Sequence, residues 1–120
     1  MIDRTYKKLP ASRAAMRLVE AIYDVTRHFP DDEKSGLTMT LRRNVASIPT
    51  KLAACHAQTN SDDAVTTVCS IQETLCDCAA YLDVAQRLRM TARWRFRGPR
   101  RKAMKLSKRL DRMRPRVKHG

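Results

Sequence analysis

Glycine and aromatic residues are scarce in this 120-residue chain: three glycines, three tyrosines, two phenylalanines and one tryptophan. Few glycines and many alanines, leucines, methionines and arginines favour helices over sheets. No stretch of ~20 consecutive apolar residues occurs, so no membrane-spanning helix is expected. The N-terminus lacks a cationic segment followed by a long apolar run, so no export signal is read there and the expected location is the cytoplasm. In that setting the four cysteines, Cys55, Cys69, Cys76 and Cys78, are expected as free, small, buried or half-buried side chains. Cys76 and Cys78 are two residues apart, which on a helix turns their side chains about 200° from each other. That spacing is too tight for a zinc knuckle, and no metal or other cofactor is expected. Paired carboxylates, a Gly-rich phosphate loop and Ser/His/Asp or Cys/His arrangements are also missing. Cys55 and His56 are sequence neighbours and diverge on a helix, so no nucleophile–base pair forms there. The chain is therefore not expected to be an enzyme.

Acidic residues are missing from one long stretch, with none between Asp83 and Asp111. Residues 1–85 carry ten lysines and arginines against eleven acidic residues, a net of −1. Residues 86–120 carry fifteen against one, a net of +14. A block of that length and sign points to a polyanionic partner, RNA before DNA. A solvated basic face is the plainer alternative. Membrane-surface binding is disfavoured because the block's apolar stripe is needed inside the fold.

Apolar spacing predicts four helices in a single domain over residues 1–114. Ala11, Ala15, Leu18, Ile22, Val25 and Phe29 step by four and three, giving a helix at about 10–29 that opens on Pro10, with Ser12 as an alternative cap. Asp31, Asp32 and Glu33 suit the start of a second helix at about 32–57, with Asp31 or Asp32 as cap and Gly36 near its first turns. The polar break Thr59–Asp63 precedes a third helix at about 61–89, where Val68, Ile71, Leu75, Cys78, Leu82 and Ala85 share a face. A fourth, at about 100–114, keeps Ala103, Leu106, Leu110 and Met113 in phase, and Pro115 is expected to end it before a disordered basic tail at 115–120. Short connections imply an all-α, antiparallel, up-down-up-down four-helix bundle.

The run SIPTKLAAC, Ser47 to Cys55, interrupts the second helix with Pro49. The proline removes the N–H that would bond the Val45 carbonyl and crowds that carbonyl. Apolar phase is kept across it, from Leu37, Leu41, Val45 and Ile48 to Leu52 and Cys55. One helix kinked at Pro49 is expected, eased by Ser47 bonding back to a carbonyl one turn earlier.

These residues carry a resemblance. Ile22-Tyr23, Phe29-Pro30, Glu33, Gly36-Leu37, Leu41-Arg42-Arg43 and Ser47-Ile48-Pro49, with a weaker match at Leu75, Asp77, Leu82 and Ala85, resemble the bacterial four helix bundle protein family. Its members are associated with 23S ribosomal RNA intervening sequences. The resemblance covers about residues 13–90. It implies a non-catalytic bundle, often a homopentamer. It also points to a related group, the basic accessory proteins of diversity-generating retroelements, which bind nucleic acid and a reverse transcriptase. The family pattern after Ser-Ile-Pro has a small residue, Asn, then Ala-Glu-Gly. Thr50, Lys51, Ala53, Ala54 and Cys55 stand there instead, a shift toward positive charge that fits the basic retroelement-accessory branch better than the mixed-charge one.

Candidate nucleic-acid contacts are Arg87 and Arg89, the alternating run Arg93-Trp94-Arg95-Phe96-Arg97, and Arg100, Arg101, Lys102, Lys105, Lys108, Arg109 and Arg112 around the fourth helix. If Arg93–Arg97 is extended, both rings project one way. They either stack on unpaired bases or cover the end of the bundle. Arg42, Arg43, Ser47, Pro49 and Asp77 are read as structural. One of the two arginines is expected to pair with Asp77 or Glu73, and the other to face outward.

Overall fold

A computed structural model describes the backbone of residues 5–58 and 60–119, and among these the side chains of all but Ser61 and 114–119. Its four α-helices are α1 (Pro10–Thr26), α2 (Leu37–Ala57), α3 (Ser61–Arg87) and α4 (Arg97–His119). Short 3-10 turns stand at Thr5–Lys8, Asp31–Glu33 and Arg93–Phe96. No strand occurs among the described residues. Each helix packs on the next, and α4 returns to α1, so the four enclose one core.

The helix ends follow local chemistry. Pro10 is the first residue of α1, after an extended Leu9, the position where a missing N–H costs nothing. α1 stops at Thr26 rather than at Phe29, because Pro30 disfavours helical backbone at the residue before it. Phe29 instead bonds back to the Thr26 carbonyl in a tight turn at 3.1 Å. The acidic cluster does not open α2. Asp31–Glu33 forms its own 3-10 turn, and α2 begins four residues later, after Gly36. Glu33 supplies the cap: its Oε1 accepts the Leu37 N–H at 3.2 Å. A Cβ on Gly36 would stand 2.9 Å from that oxygen, so glycine leaves room for the carboxylate. Asn60 caps α3, its side chain accepting the Asp62 and Asp63 N–H groups at 2.8 and 3.3 Å. Thr59 of the expected polar break lies outside the described residues.

α2 is one continuous helix through Pro49. The hydroxyl of Ser47 donates to the Asn44 carbonyl at 2.8 Å, the back-bond expected from Ser47 to a carbonyl one turn before it. α4 also differs from expectation. It begins at Arg97 and continues past Pro115 to His119, so residues 115–119 are helix rather than a disordered tail, and Gly120 lies outside the described residues.

The core is the set of stripes read from spacing. Leu18, Ile22, Leu41, Val45, Ile48, Val68, Ile71, Cys78, Leu82, Leu106 and Leu110 are fully buried. Truncating one such leucine or isoleucine to alanine typically costs ~2–5 kcal/mol. Polar links tie the helices across this core. The Lys51 ammonium donates to Ser70 and Thr74 on α3 at 3.2 and 2.9 Å, so the lysine that departs from the family pattern fastens α2 to α3. Gln72 donates to Asp111 on α4 at 3.0 Å.

All four cysteines are free. Cys55 and Cys78 are buried and Cys69 is half-buried, but Cys76 is exposed, against the expectation that all four sit inside. Burial pushes the Cys78 thiol up to about 12 and also raises Cys55. Only a thiolate alkylates readily. With the native protein at neutral pH, a maleimide should label Cys76 first and leave Cys55 and Cys78 unmodified, as peptide mass mapping would read. Labelling of Cys78 at the rate of Cys76 would contradict the packing.

Candidate nucleic-acid interface

α4 buries Ala103, Leu106 and Leu110, and that single stripe orients everything else. Its remaining faces carry Arg101, Lys105, Lys108, Arg109 and Arg112, all exposed, and Lys102, half-buried. Packing against α1 adds cations that a reading of α4 alone does not reveal. A groove of about 430 Å³ between the two helices is lined by Pro10, Arg13, Ala14, Arg17, Lys105, Lys108, Arg109 and Arg112. Six of these eight residues are cationic and none is acidic. Arg13 and Arg17 were missed as site residues. The available signal was that they lie four apart on α1, off its apolar stripe, so they stack on one exposed face.

Farther along the same helix pair the lining becomes mixed. Trp94, Arg95, Arg97, Arg101 and Lys102 meet Arg17, Glu20, Asp24, Arg27 and His28 around a groove of about 780 Å³. Asp24 is already paired with Arg27 at 2.8 Å. At the end of α3 a third, open depression of about 1020 Å³ gathers Arg87, Arg89, Arg93 and Arg100. Arg100 is committed within it. Its guanidinium pairs with Asp83 at 2.7 Å and donates twice to the Gln86 side-chain oxygen, at 3.2 and 2.7 Å. It fastens α4 to α3 rather than standing free for a phosphate. Arg89 turns the chain out of α3 with φ 57°, and the Met90 N–H closes the helix end on the Ala85 carbonyl at 3.0 Å.

The aromatic run is not extended. Arg93–Phe96 is a 3-10 turn, in which residues two apart point about 120° apart, so the rings separate. Phe96 is 1% exposed and lies against Phe29, with centroids 6.2 Å apart. It is a core residue and is withdrawn as a nucleic-acid contact. Trp94 is 62% exposed. The Arg95 guanidinium lies over its ring at 4.5 Å and also bonds the His28 Nε2 at 2.8 Å.

The structural arginines find other partners than expected. Arg42 donates to the Thr26 hydroxyl at 2.8 Å and the Tyr23 carbonyl at 3.3 Å, and covers the Tyr23 ring at 4.5 Å. It ties α2 to α1, whereas Asp77 and Glu73 are exposed on α3. Among the described residues Arg43 reaches the Met39 sulfur, at 3.2 Å. Asp77 therefore has no structural pairing with either arginine. Among the described residues, no three His, Cys, Asp or Glu side chains converge as a metal site would, and no helix is long and apolar enough to cross a membrane.

A small, strongly basic four-helix bundle with its cations gathered along one helix pair is the class these features define. The family model described as 23S rRNA-intervening sequence protein matches residues 7–112, and the chain belongs to that family. The match takes in all of α1, α2 and α3 and most of α4, so the cationic helix is part of the family domain and not an appended tail. No curated protein matches the chain significantly.

Proposed function

We propose that the protein is a non-catalytic RNA-binding bundle that grips ribosomal RNA or RNA excised from it, with the α1/α4 groove on the phosphate backbone. The observation that carries the reading is the convergence of Arg13, Arg17, Lys105, Lys108, Arg109 and Arg112 without one carboxylate. Two like charges ~4 Å apart repel by ~1 kcal/mol even in water. A merely solubilising surface has no need to concentrate them from two helices, whereas a polyanion turns the repulsion into attraction. The family's description names 23S rRNA, which favours RNA as that polyanion and favours the ribosomal alternative over the retroelement branch. No feature of the bundle favours a reverse transcriptase as partner. Contacts of this kind position an RNA without reading its sequence. A cytoplasmic location accords with such a target.

The test is binding of a labelled structured RNA across a salt series, with an acidic polypeptide as competitor. If the six cations each meet a phosphate, the logarithm of affinity falls against the logarithm of salt with a slope of about −4 to −5. A flat dependence, or equal affinity for the acidic polypeptide, would replace RNA with an acidic protein as the partner. The homo-oligomer, pentameric by the resemblance, is part of the same proposal. Light scattering should give five times the 13.8 kDa chain mass, and a single-chain mass would remove it.

A further inference from the structure

We infer that Trp94 is a stacking platform for one unpaired RNA base, so that the preferred ligand is a duplex bearing an unpaired nucleotide rather than a blunt one. The inference rests on the RNA-binding reading and narrows its substrate. Large apolar side chains stay exposed in small numbers on any protein, but Trp94 is not merely left over. Its neighbour Phe96 is buried against Phe29, and the 3-10 turn is closed by the Arg95 N–H on the Ala92 carbonyl at 3.0 Å. The indole is thus carried on an anchored turn, not on a floppy loop, and little ordering remains to be done on binding.

Arg95 fixes it further. Held by His28 at 2.8 Å, its guanidinium packs on the indole at 4.5 Å, while 62% of Trp94 stays open to solvent. A base on the open ring surface extends an existing stack of cation and indole, the arrangement that single-strand binders use. Arg97, Arg101 and Lys102 line the same groove and are placed for the phosphates on either side of such a base. Glu20 and Asp24 make this segment a poorer track for continuous backbone than the all-cationic segment nearer Arg13. A carboxylate accepts hydrogen bonds from base amino groups while it repels phosphate. The groove therefore divides into a backbone-gripping part and a base-holding part.

Trp94 is the chain's only tryptophan, so its emission reports this site alone. Three RNAs are compared: a blunt duplex, the same duplex with a short unpaired overhang, and the overhang strand alone. Anisotropy of a label on the RNA reads binding, and tryptophan emission reads stacking. The overhang duplex should quench Trp94 strongly, and the blunt duplex should bind with little quenching. W94A should lower affinity for the overhang duplex roughly tenfold or more and leave the blunt duplex within about twofold, with W94F keeping most of the affinity. Equal quenching by both duplexes, or an equal loss for both in W94A, overturns the platform while the groove reading stands. Absence of binding by anisotropy for all three RNAs overturns the groove reading, and the platform with it.

Discussion

Reversing four cations of the groove, with R13E, R17E, K105E and R109E together, is expected to weaken RNA binding at physiological salt by about a hundredfold or more. Each lost phosphate contact removes roughly one unit from the salt slope, and each introduced carboxylate adds repulsion. All four side chains are exposed, so the fold has no packing to lose. Circular dichroism should show the helices intact, and the neutral set with glutamine at the same positions should fall between wild type and the reversal. Four reversals at exposed cations that do not line the groove, Lys34, Arg43, Lys7 and Lys8, are the control for bulk charge. If the two quadruple variants lose affinity equally, net charge and not the groove governs binding.

The second large effect separates two rings two residues apart. F96A should destabilise the bundle by ~3–5 kcal/mol, lowering the melting temperature by roughly 10–25 °C. Phe96 is 1% exposed and fills the space beside Phe29 where the α3–α4 connection crosses the end of α1. Losing it leaves a cavity lined by a ring and by the start of α4. W94A, on a residue mostly in water, should stay within ~1 kcal/mol of wild type. Thermal unfolding followed by circular dichroism reads both. A melting temperature for F96A close to the parent's would mean that the connection does not pack as described.

The core was legible because periodicity depends on one helix at a time. Every apolar position in phase from Ala11 to Phe29, and from Val68 to Ala85, is buried. What was not legible depends on two elements meeting. Sequence leaves open which of Arg42 and Arg43 turns inward and whether it meets Asp77 or Glu73, and Arg42 sits on the side of α2 that packs on α1, where the Thr26 hydroxyl and Tyr23 carbonyl are available. Acids at 31–33 suit a helix beginning and predict an early start for α2, but Glu33 acts from outside the helix, reaching forward to Leu37. The rings of Trp94 and Phe96 share a side only on a strand-like backbone, and the 3-10 turn observed there has another period. Arg13 and Arg17 gain meaning only through their neighbours on α4.

The lopsided charge has a consequence for how the molecule arrives at its target. Residues 1–85 sum to −1 and residues 86–120 to +14, and most of the latter ride on a single rod, α4, along one flank. Such a body has a large permanent dipole. In the field of a polyanion it experiences torque as well as attraction, and turns its cationic flank forward while still a Debye length away, ~8 Å at physiological ionic strength. Collisions are then pre-aligned, and the rate of capture, more than the lifetime of the complex, is the quantity that added salt should slow.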